Sequence, residues 1–213
     1  WGNRPVEYLY KRGFLGNRVI AAHSAFLTDD EVRMYAETGT NPVHCPTINM
    51  SYMTFPKIPT MLRSGVNVAL GTDGGSYRGL DMFTEMNVAM AAMIANYGTP
   101  YYDFSSISLS AMLKMGTRNG YLAIGEPKGG EIRTGYRADI ILIDRLIPHL
   151  VPLHDLKALP LFATGNDVSD LIVDGKVIMR DHQVLTMNEE EIVTKIQEIS
   201  PQVMERIKRI VKT

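Results

Sequence analysis

Short apolar runs alternate with helical patterns along the first half of the chain. Three runs, Arg18–His23, Pro42–Cys45 and Val66–Thr72, have the length and composition of buried β-strands. Between the first two, Thr28-Asp-Asp-Glu31 is a capping-box pattern that opens a helix ending near Gly39. The alternation predicts a β-α-β-α-β-α order, which implies a parallel sheet with helices packed on it.

Four more helices and one loop complete the prediction for this half. The helices are Pro5–Gly13, Pro59–Gly65, about Leu80 to Asn96, and Ser108 to about Leu122, and the loop is Pro46–Asn49. Methionines recur at helical spacing between Met82 and Met93, which favours a role in filling the core.

The pattern changes after Gly125. Ala138–Asp144 is predicted as a strand, and Val168–Met179 as a β-hairpin whose Asp-Gly pair signals a type I′ turn. The tail from Asn188 to Lys212 is predicted as an amphipathic surface helix, interrupted or kinked at Pro201. We therefore divide the chain into residues 1–125, a partial barrel; 126–187, part of a small β-sandwich; and 188–213, a C-terminal helix.

Composition narrows the possible partners and compartment. The 213 residues are 45% apolar with a net charge of -1, and no basic run stands out, so nucleic acid is not an expected partner. No run of about 18 uncharged apolar residues occurs, so no membrane association is expected. The single cysteine, Cys45, is expected to be a small buried residue in a cytoplasmic protein.

Polar side chains follow each of the three predicted strands. His23 ends the first, His44 lies at the end of the second, and Asp73 follows the third in Gly-Thr-Asp-Gly. An aspartate at a strand end is more often a turn former or a helix cap, and a lone strand-end histidine is more often structural. However, the carboxyl ends of parallel strands share one edge of the sheet, where α/β barrels keep their chemistry. We therefore expect His23, His44 and Asp73 to lie together at this carboxyl edge of the sheet, which is called the rim below, and to form a functional site there.

Several motifs in consistent order resemble the metal-dependent amidohydrolase superfamily. They are His23-x-x-x-Leu27, His44-Cys-Pro-Thr-x-Asn-Met50, Leu70-Gly-Thr-Asp-Gly74, Thr117-Arg-Asn-Gly120, Ala138–Asp144 and Asp167–Lys176. The nearest branch is that of the methylthioadenosine/S-adenosylhomocysteine deaminases and chlorohydrolases. The resemblance implies an α/β fold: the C-terminal part of a (β/α)8 TIM barrel, strands six to eight, with part of a small β-sandwich and a C-terminal helix.

The resemblance also implies roles for particular residues. Asp73 would bind one divalent metal, zinc or iron, and accept a proton from the water that the metal activates. His23 would hydrogen-bond the attacking oxygen. Ser76, Tyr77 and His44 are candidate substrate-binding residues, although His44 could equally pack beneath the rim.

The expected activity is hydrolytic deamination of a purine-like or other aromatic N-heterocycle, with an adenosine-type substrate. The alternatives are a triazine-type chlorohydrolase, a guanine deaminase, and a non-catalytic binding or assembly module. The His-x-His and His-x-x-Glu patterns of the family's metal site do not occur in this sequence. We therefore expect a chain that is inactive alone and pairs with a missing N-terminal half or another copy, and we expect a homo-oligomer.

Overall fold

Three parallel strands form the sheet that carries the predicted rim. The computed structural model describes residues 2–75, 79–103, 105 and 107–211. The strands are β1 (Ile20–Ala22), β2 (Asn41–His44) and β3 (Ala69–Leu70), and their order in the sheet equals their order in the chain. Ile20 pairs with Asn41, and Val43 pairs with Ala69.

Helices connect and cover these strands. In chain order they are α1 (Pro5–Lys11), α2 (Asp29–Thr38), α3 (Pro46–Tyr52), α4 (Ile58–Arg63), α5 (Met82–Met93), α6 (Leu109–Met115), α7 (Arg118–Ala123), α8 (Leu159–Phe162) and α9 (Glu189–Val211). The parallel arrangement with helical crossovers confirms the predicted α/β organisation of this part.

A complete capping box begins α2. Thr28 Oγ1 accepts a hydrogen bond from the Glu31 backbone, and the Glu31 carboxylate accepts one from the Thr28 N–H at 2.9 Å. The same carboxylate is buried and receives Arg4 Nε at 2.9 Å, so it also fastens the chain before α1 to α2. Gly39 ends the helix with φ of 73°, a left-handed conformation that glycine adopts without strain.

Methionine side chains make up much of the core. The fully or nearly fully buried ones are Met61, Met86, Met90, Met93, Met112 and Met115. Their flexible, unbranched side chains fill the irregular space between the sheet and helices α4 to α6. The predicted role of the methionines as core residues is thereby confirmed.

Asparagine side chains tie together the N-terminal ends of the strands. Asn67 donates to Asn41 Oδ1 at 2.8 Å and to the Asn119 carbonyl at 3.1 Å. Asn119 in turn donates to the Val68 carbonyl at 2.8 Å, and Asn41 donates to the Asn17 carbonyl at 2.9 Å. This network lies at the edge of the sheet opposite the predicted rim, so it joins the strands without contacting the candidate site.

A separate antiparallel sheet follows the parallel sheet and its helices. Its strands are β4 (Ile140–Ile143), β5 (Val168–Val173), β6 (Lys176–Arg180) and β7 (Gln183–Val184), in that order. Asp174 and Gly175 join β5 to β6 with φ of 49° and 76°, as a type I′ turn requires. None of these strand residues is fully buried, although Ile143 and Val168 are partly buried against the main core.

Several predicted element boundaries are wrong. The predicted loop Pro46–Asn49 is the first turn of α3, because Pro46 suits the first helical position and a distant carboxylate satisfies the helix N-terminus. The predicted strand Val66–Thr72 is reduced to the two residues of β3, which pairs only with β2 among the described strands.

The predicted long helices also differ from the structure. The segment from Leu80 is α-helical only over α5 and continues as a π-helical turn, Ile94–Gly98. The predicted helix from Ser108 divides into α6 and α7, because Thr117 leaves the helical region with φ of -135°.

The tail helix α9 is not interrupted at Pro201, which lies inside it. Every residue of α9 is exposed, so water can solvate the Gln197 carbonyl, which has no N–H partner four residues later. The apolar residues of α9, including Ile192, Ile196, Ile199 and Val203, lie at helical spacing and are likewise exposed. No described helix is long and apolar enough to cross a membrane.

Candidate active site

The predicted site residues follow the last hydrogen bonds of the parallel ladder. The His23 N–H donates to the Val43 carbonyl at 2.8 Å, and the Gly71 N–H donates to the His44 carbonyl at 2.9 Å. The chain then leaves the sheet at its carboxyl edge in both places. Glycine suits this position because a Cβ on residue 71 would lie 3.0 Å from Val43 Cγ1, a close contact.

His23 and Asp73 meet across the middle strand. His23 Nε2 lies 3.4 Å from Asp73 Oδ2, and the two side chains are 28% and 37% exposed. Strands β1 and β3 are separated by β2, so the two side chains reach over the end of β2 towards each other. The structure therefore brings together the two predicted catalytic residues, both open to solvent.

The backbone at this rim is held in the left-handed region. His23, Ser24 and Asp73 have φ of 65°, 48° and 55°, which non-glycine residues seldom adopt. Such positions cost on the order of 1–3 kcal/mol each and persist where the surroundings hold them. The Ser24 hydroxyl donates to the Ala21 carbonyl at 3.1 Å and lies 3.3 Å from the Tyr35 hydroxyl, which holds this turn.

Cys45 lies beneath the His23–Asp73 pair. Ligand atoms of these three residues lie within 4.8 Å of one another. Burial, with a smaller contribution from the Asp73 carboxylate, raises the pKa of the Cys45 thiol to about 11. Cys45 is therefore a buried protonated thiol at neutral pH, as expected for a small core residue.

His44 lies below the rim rather than on it. Its residue is 1% exposed, and its Nδ1 lies 3.0 Å from Asn49 Oδ1. Burial lowers the pKa of His44 to about 4, although the hydrogen bond to Asn49 opposes this shift. His44 Nε2 has no hydrogen-bond partner among the described residues. Direct contact between His44 and a substrate stays a prediction; the observed connection of His44 to the rim runs through Asn49.

Asn49 connects the buried residues His44 and Cys45 to His23 at the rim. It is fully buried, and its Oδ1 accepts hydrogen bonds from the Cys45 N–H and from His44, both at 3.0 Å. Its Nδ2 lies 3.5 Å from His23 Nδ1 and 3.1 Å from Met53 Sδ. The residues alone left the role of Asn49 open, since a loop asparagine most often bonds its own backbone. The feature that could have indicated its position is the spacing of five residues from His44, across the junction between a strand and a helix.

A buried carboxylate fixes the helix that carries Asn49. Glu85, on α5, accepts the Thr47 N–H at 3.0 Å and the Thr47 hydroxyl at 2.6 Å. Glu85 is 1% exposed, and its charge lies at the positive N-terminal end of α3. Because α3 is anchored in this way, Asn49 is held at a fixed height under His23.

The remaining predicted site residues are not placed by the structure. The candidate substrate-binding residues Ser76 and Tyr77 lie outside the described residues. A separate cavity of about 460 Å³ lies between α1 and α2, and its lining includes neither His23 nor Asp73.

The rim fits a divalent metal in part. Carboxylate and imidazole are donors that zinc accepts, and a catalytic zinc takes three protein ligands. In the described part of the chain, the donors gathered here are Asp73, His23 and the protonated thiol of Cys45. Asp73 is therefore suited to be one ligand, and the remaining ligands of a complete site have to come from beyond these residues.

The sequence model of the amidohydrolase family matches residues 3–178. The chain belongs to the amidohydrolase family. The resemblance inferred from the strand-end motifs is thereby confirmed, and the α/β elements correspond to a fragment of a family whose fold is a TIM barrel.

Proteins named as deaminases are among the most similar curated relatives. The chain is 38% identical over 208 residues to a 5-methylthioadenosine/S-adenosylhomocysteine deaminase from Acetivibrio thermocellus, covering 96% of this chain and 47% of the relative. It is 36% identical over 211 residues to a 5′-deoxyadenosine deaminase from Methanosarcina mazei, covering 97% and 48%. The chain thus spans about half the length of the curated relatives it matches.

A solved structure agrees with this relationship. The zinc-bound crystal structure of an adenosine deaminase from Xanthomonas campestris superposes with a TM-score of 0.89 at 28% identity. The superposition covers 96% of this chain and 47% of that structure. The amidohydrolase fold of this fragment is therefore seen in an enzyme that holds zinc.

Proposed function

We propose that this chain is the C-terminal half of a metal-dependent hydrolytic deaminase whose substrate is an adenosine-type N-heterocycle. One observation carries the proposal: His23 Nε2 lies 3.4 Å from Asp73 Oδ2 at the carboxyl edge of a parallel sheet. It is supported by 36–38% identity, over almost the whole chain, to enzymes named as deaminases of adenosine derivatives.

In this proposal Asp73 is a ligand of one divalent metal and also the proton acceptor. The metal, when bound, would lower the pKa of water towards 7 and so make it a nucleophile at neutral pH. Asp73 takes a proton as the water oxygen bonds to the amino-bearing ring carbon. The same carboxylate then passes that proton to the exocyclic nitrogen, the carbon–nitrogen bond breaks, and ammonia leaves. The second proton of the water moves to the adjacent ring nitrogen, so the product carries a carbonyl group in place of the amine.

His23 stabilises charge in the same step. Its imidazole adjoins the Asp73 carboxylate and is partly open to solvent, so an N–H there can reach the oxygen that gains negative charge. The strained turn at His23 and Ser24 directs the ring towards the rim rather than along the sheet.

The proposal extends to the organisation of the molecule. Strands β1, β2 and β3 would be strands six, seven and eight of the barrel, residues 1–125 its partial barrel, 126–187 part of a β-sandwich and 188–213 a C-terminal helix. The missing strands would come from an N-terminal half or another copy. The exposed apolar residues Ile20 and Phe26, together with Ile141 and Leu142 of the antiparallel sheet, are surfaces that such a partner would bury.

The test joins this chain to the N-terminal part of a relative that it does not match. The portion of the Acetivibrio thermocellus deaminase that this chain does not match is joined to it, and zinc content and ammonia release are measured. We expect about one zinc per chain and deamination of 5′-methylthioadenosine, S-adenosylhomocysteine or 5′-deoxyadenosine. Asp73→Asn should abolish activity, whereas His182→Gln, at an exposed position, should leave it unchanged.

Each outcome bears on one of the candidate functions. A folded, zinc-loaded chimera that releases ammonia from no adenosine-type substrate would contradict the proposal. Release of chloride from a chlorotriazine would support the chlorohydrolase alternative instead, and release of ammonia from guanine would support the guanine deaminase alternative. Absence of all three activities in the loaded protein would favour a non-catalytic module.

A further inference from the structure

We propose that Asn49 is a positioning residue that makes His23 a hydrogen-bond donor at the rim, by holding the His23 proton on Nε2. The chemical use of that donor rests on the proposed function. The tautomer itself is a property of this chain alone and can be measured without activity.

The orientation of the Asn49 amide is fixed by the backbone. The Cys45 N–H is a donor and cannot accept, so the atom of Asn49 that lies 3.0 Å from it has to be the carbonyl oxygen. That assignment leaves Nδ2, which carries two hydrogens, on the side of His23 and Met53.

The orientation of the Asn49 amide in turn determines which ring nitrogen of the buried His44 carries a hydrogen. Oδ1 accepts only, so His44 Nδ1, at 3.0 Å from it, has to carry a hydrogen. His44 is therefore neutral with its proton on Nδ1, which agrees with a buried ring that does not charge at neutral pH. Both acceptor positions of Asn49 Oδ1 are then filled. A flipped amide would place the Nδ2 hydrogens against the N–H groups of Cys45 and His44.

The tautomer of His23 follows from the other end of the amide. Nδ2 donates, so His23 Nδ1, at 3.5 Å from it, has to accept and carries no hydrogen in the neutral ring. The proton then lies on Nε2, which points at the Asp73 carboxylate at 3.4 Å. At this rim, His23 is a donor and Asp73 is the base, so the two groups do not compete for one role.

The arrangement is rigid enough to hold this choice. Asn49 is fully buried on α3, and Glu85 anchors the first turn of that helix through two hydrogen bonds to Thr47. The amide therefore cannot swing towards solvent without breaking contacts to His44, Cys45 and Met53. The second histidine tautomer would place two N–H groups face to face at Nδ1.

Nitrogen NMR of the full 213-residue chain tests the inference directly. The spectrum is recorded at about pH 8.5, two pH units above the ordinary imidazole pKa. The His23→Gln variant identifies the His23 signals. We expect the proton on Nε2 in the unmodified chain, and a His23 ring protonated on Nδ1 would overturn the inference even if the Asn49 and Met53 variants do not fold.

Two variants separate positioning from general packing. Asn49→Ala removes the donor and should shift the His23 tautomer ratio towards Nδ1–H by about two- to tenfold, the effect of one hydrogen bond. Met53→Leu removes the other contact of Nδ2 but keeps the donor, and should leave the ratio unchanged. An unchanged ratio in a folded Asn49→Ala chain, or an equal shift in Met53→Leu, would refute the role of Asn49.

The two proposals can fail separately. An inactive, zinc-loaded chimera with His23 protonated on Nε2 would overturn the deaminase proposal and leave the positioning role intact. An active chimera whose His23 carries its proton on Nδ1 would support the deaminase proposal and overturn the positioning role of Asn49.

Discussion

Acid should destabilise this chain through the buried ring of His44. The folded protein holds His44 neutral, with its pKa lowered to about 4 mainly by burial, whereas an unfolded histidine titrates near 6.5. Between these two values the unfolded chain binds a proton that the folded chain does not. The free energy of unfolding therefore rises with pH across this window, and stability is lost as the pH falls from about 6.5 to about 4.

The size of the effect follows from the same two values. The difference between 6.5 and about 4, at 1.36 kcal/mol for each pKa unit, corresponds to about 3 kcal/mol. A small domain has a total stability of about 5–15 kcal/mol, so this one ring accounts for a large share of its loss in acid. The hydrogen bond to Asn49 reduces the effect but does not reverse its direction.

Urea unfolding at a series of pH values between 4 and 7, followed by circular dichroism, measures this contribution. His44→Gln keeps an N–H that can reach Asn49 but does not titrate, so it should lose about 3 kcal/mol less than the unmodified chain over this range. His182→Gln, at an exposed site, is the matched control and should behave like the unmodified chain. Equal losses in the unmodified chain and in His44→Gln would refute the reasoning.

Three further predictions concern residues around the rim and α2. Glu85→Ala leaves the Thr47 N–H and hydroxyl without their acceptor and should lower the free energy of unfolding by about 2–3 kcal/mol in urea, whereas no change would show that α3 is held by other contacts. Thr28→Ala removes the cap that faces the Glu31 N–H and should cost about 1 kcal/mol in thermal unfolding, while Thr28→Ser should cost clearly less. The Cys45 thiol, with its pKa raised to about 11 by burial, should react slowly with a thiol reagent at pH 8 and rapidly in denaturant, and a fast reaction of the folded chain would contradict its burial.

The features that the sequence predicted correctly depend on local rules. The capping box of Thr28 and Glu31 needs only three residues of spacing, and it forms as predicted. The meeting of His23 with Asp73 depends on one topological rule, that parallel strands share a carboxyl edge, so two strand-end residues suffice to predict it.

The features that the sequence did not reveal depend on distant partners. Pro46 to Asn49 has the composition of a loop, and it becomes helical because Glu85, 38 residues later, accepts the hydrogen bonds of Thr47. Asn49 is placed under His23 by that helix, so its role could not be inferred while the segment was predicted as a loop. The short length of β3 depends on how many strands lie beside it, which no local pattern records.

The sequential order of the three parallel strands has a consequence for how the chain folds. Ile20 pairs with Asn41, and Val43 pairs with Ala69, so the two pairings close segments of 21 and 26 residues. The entropy cost of closing a segment rises only slowly with its length, so neither pairing is costly to close. Both strands of each β-α-β unit, and the helices between them, are present once the second strand has been synthesised. The order of the strands across the sheet is thus also the order in which they are made.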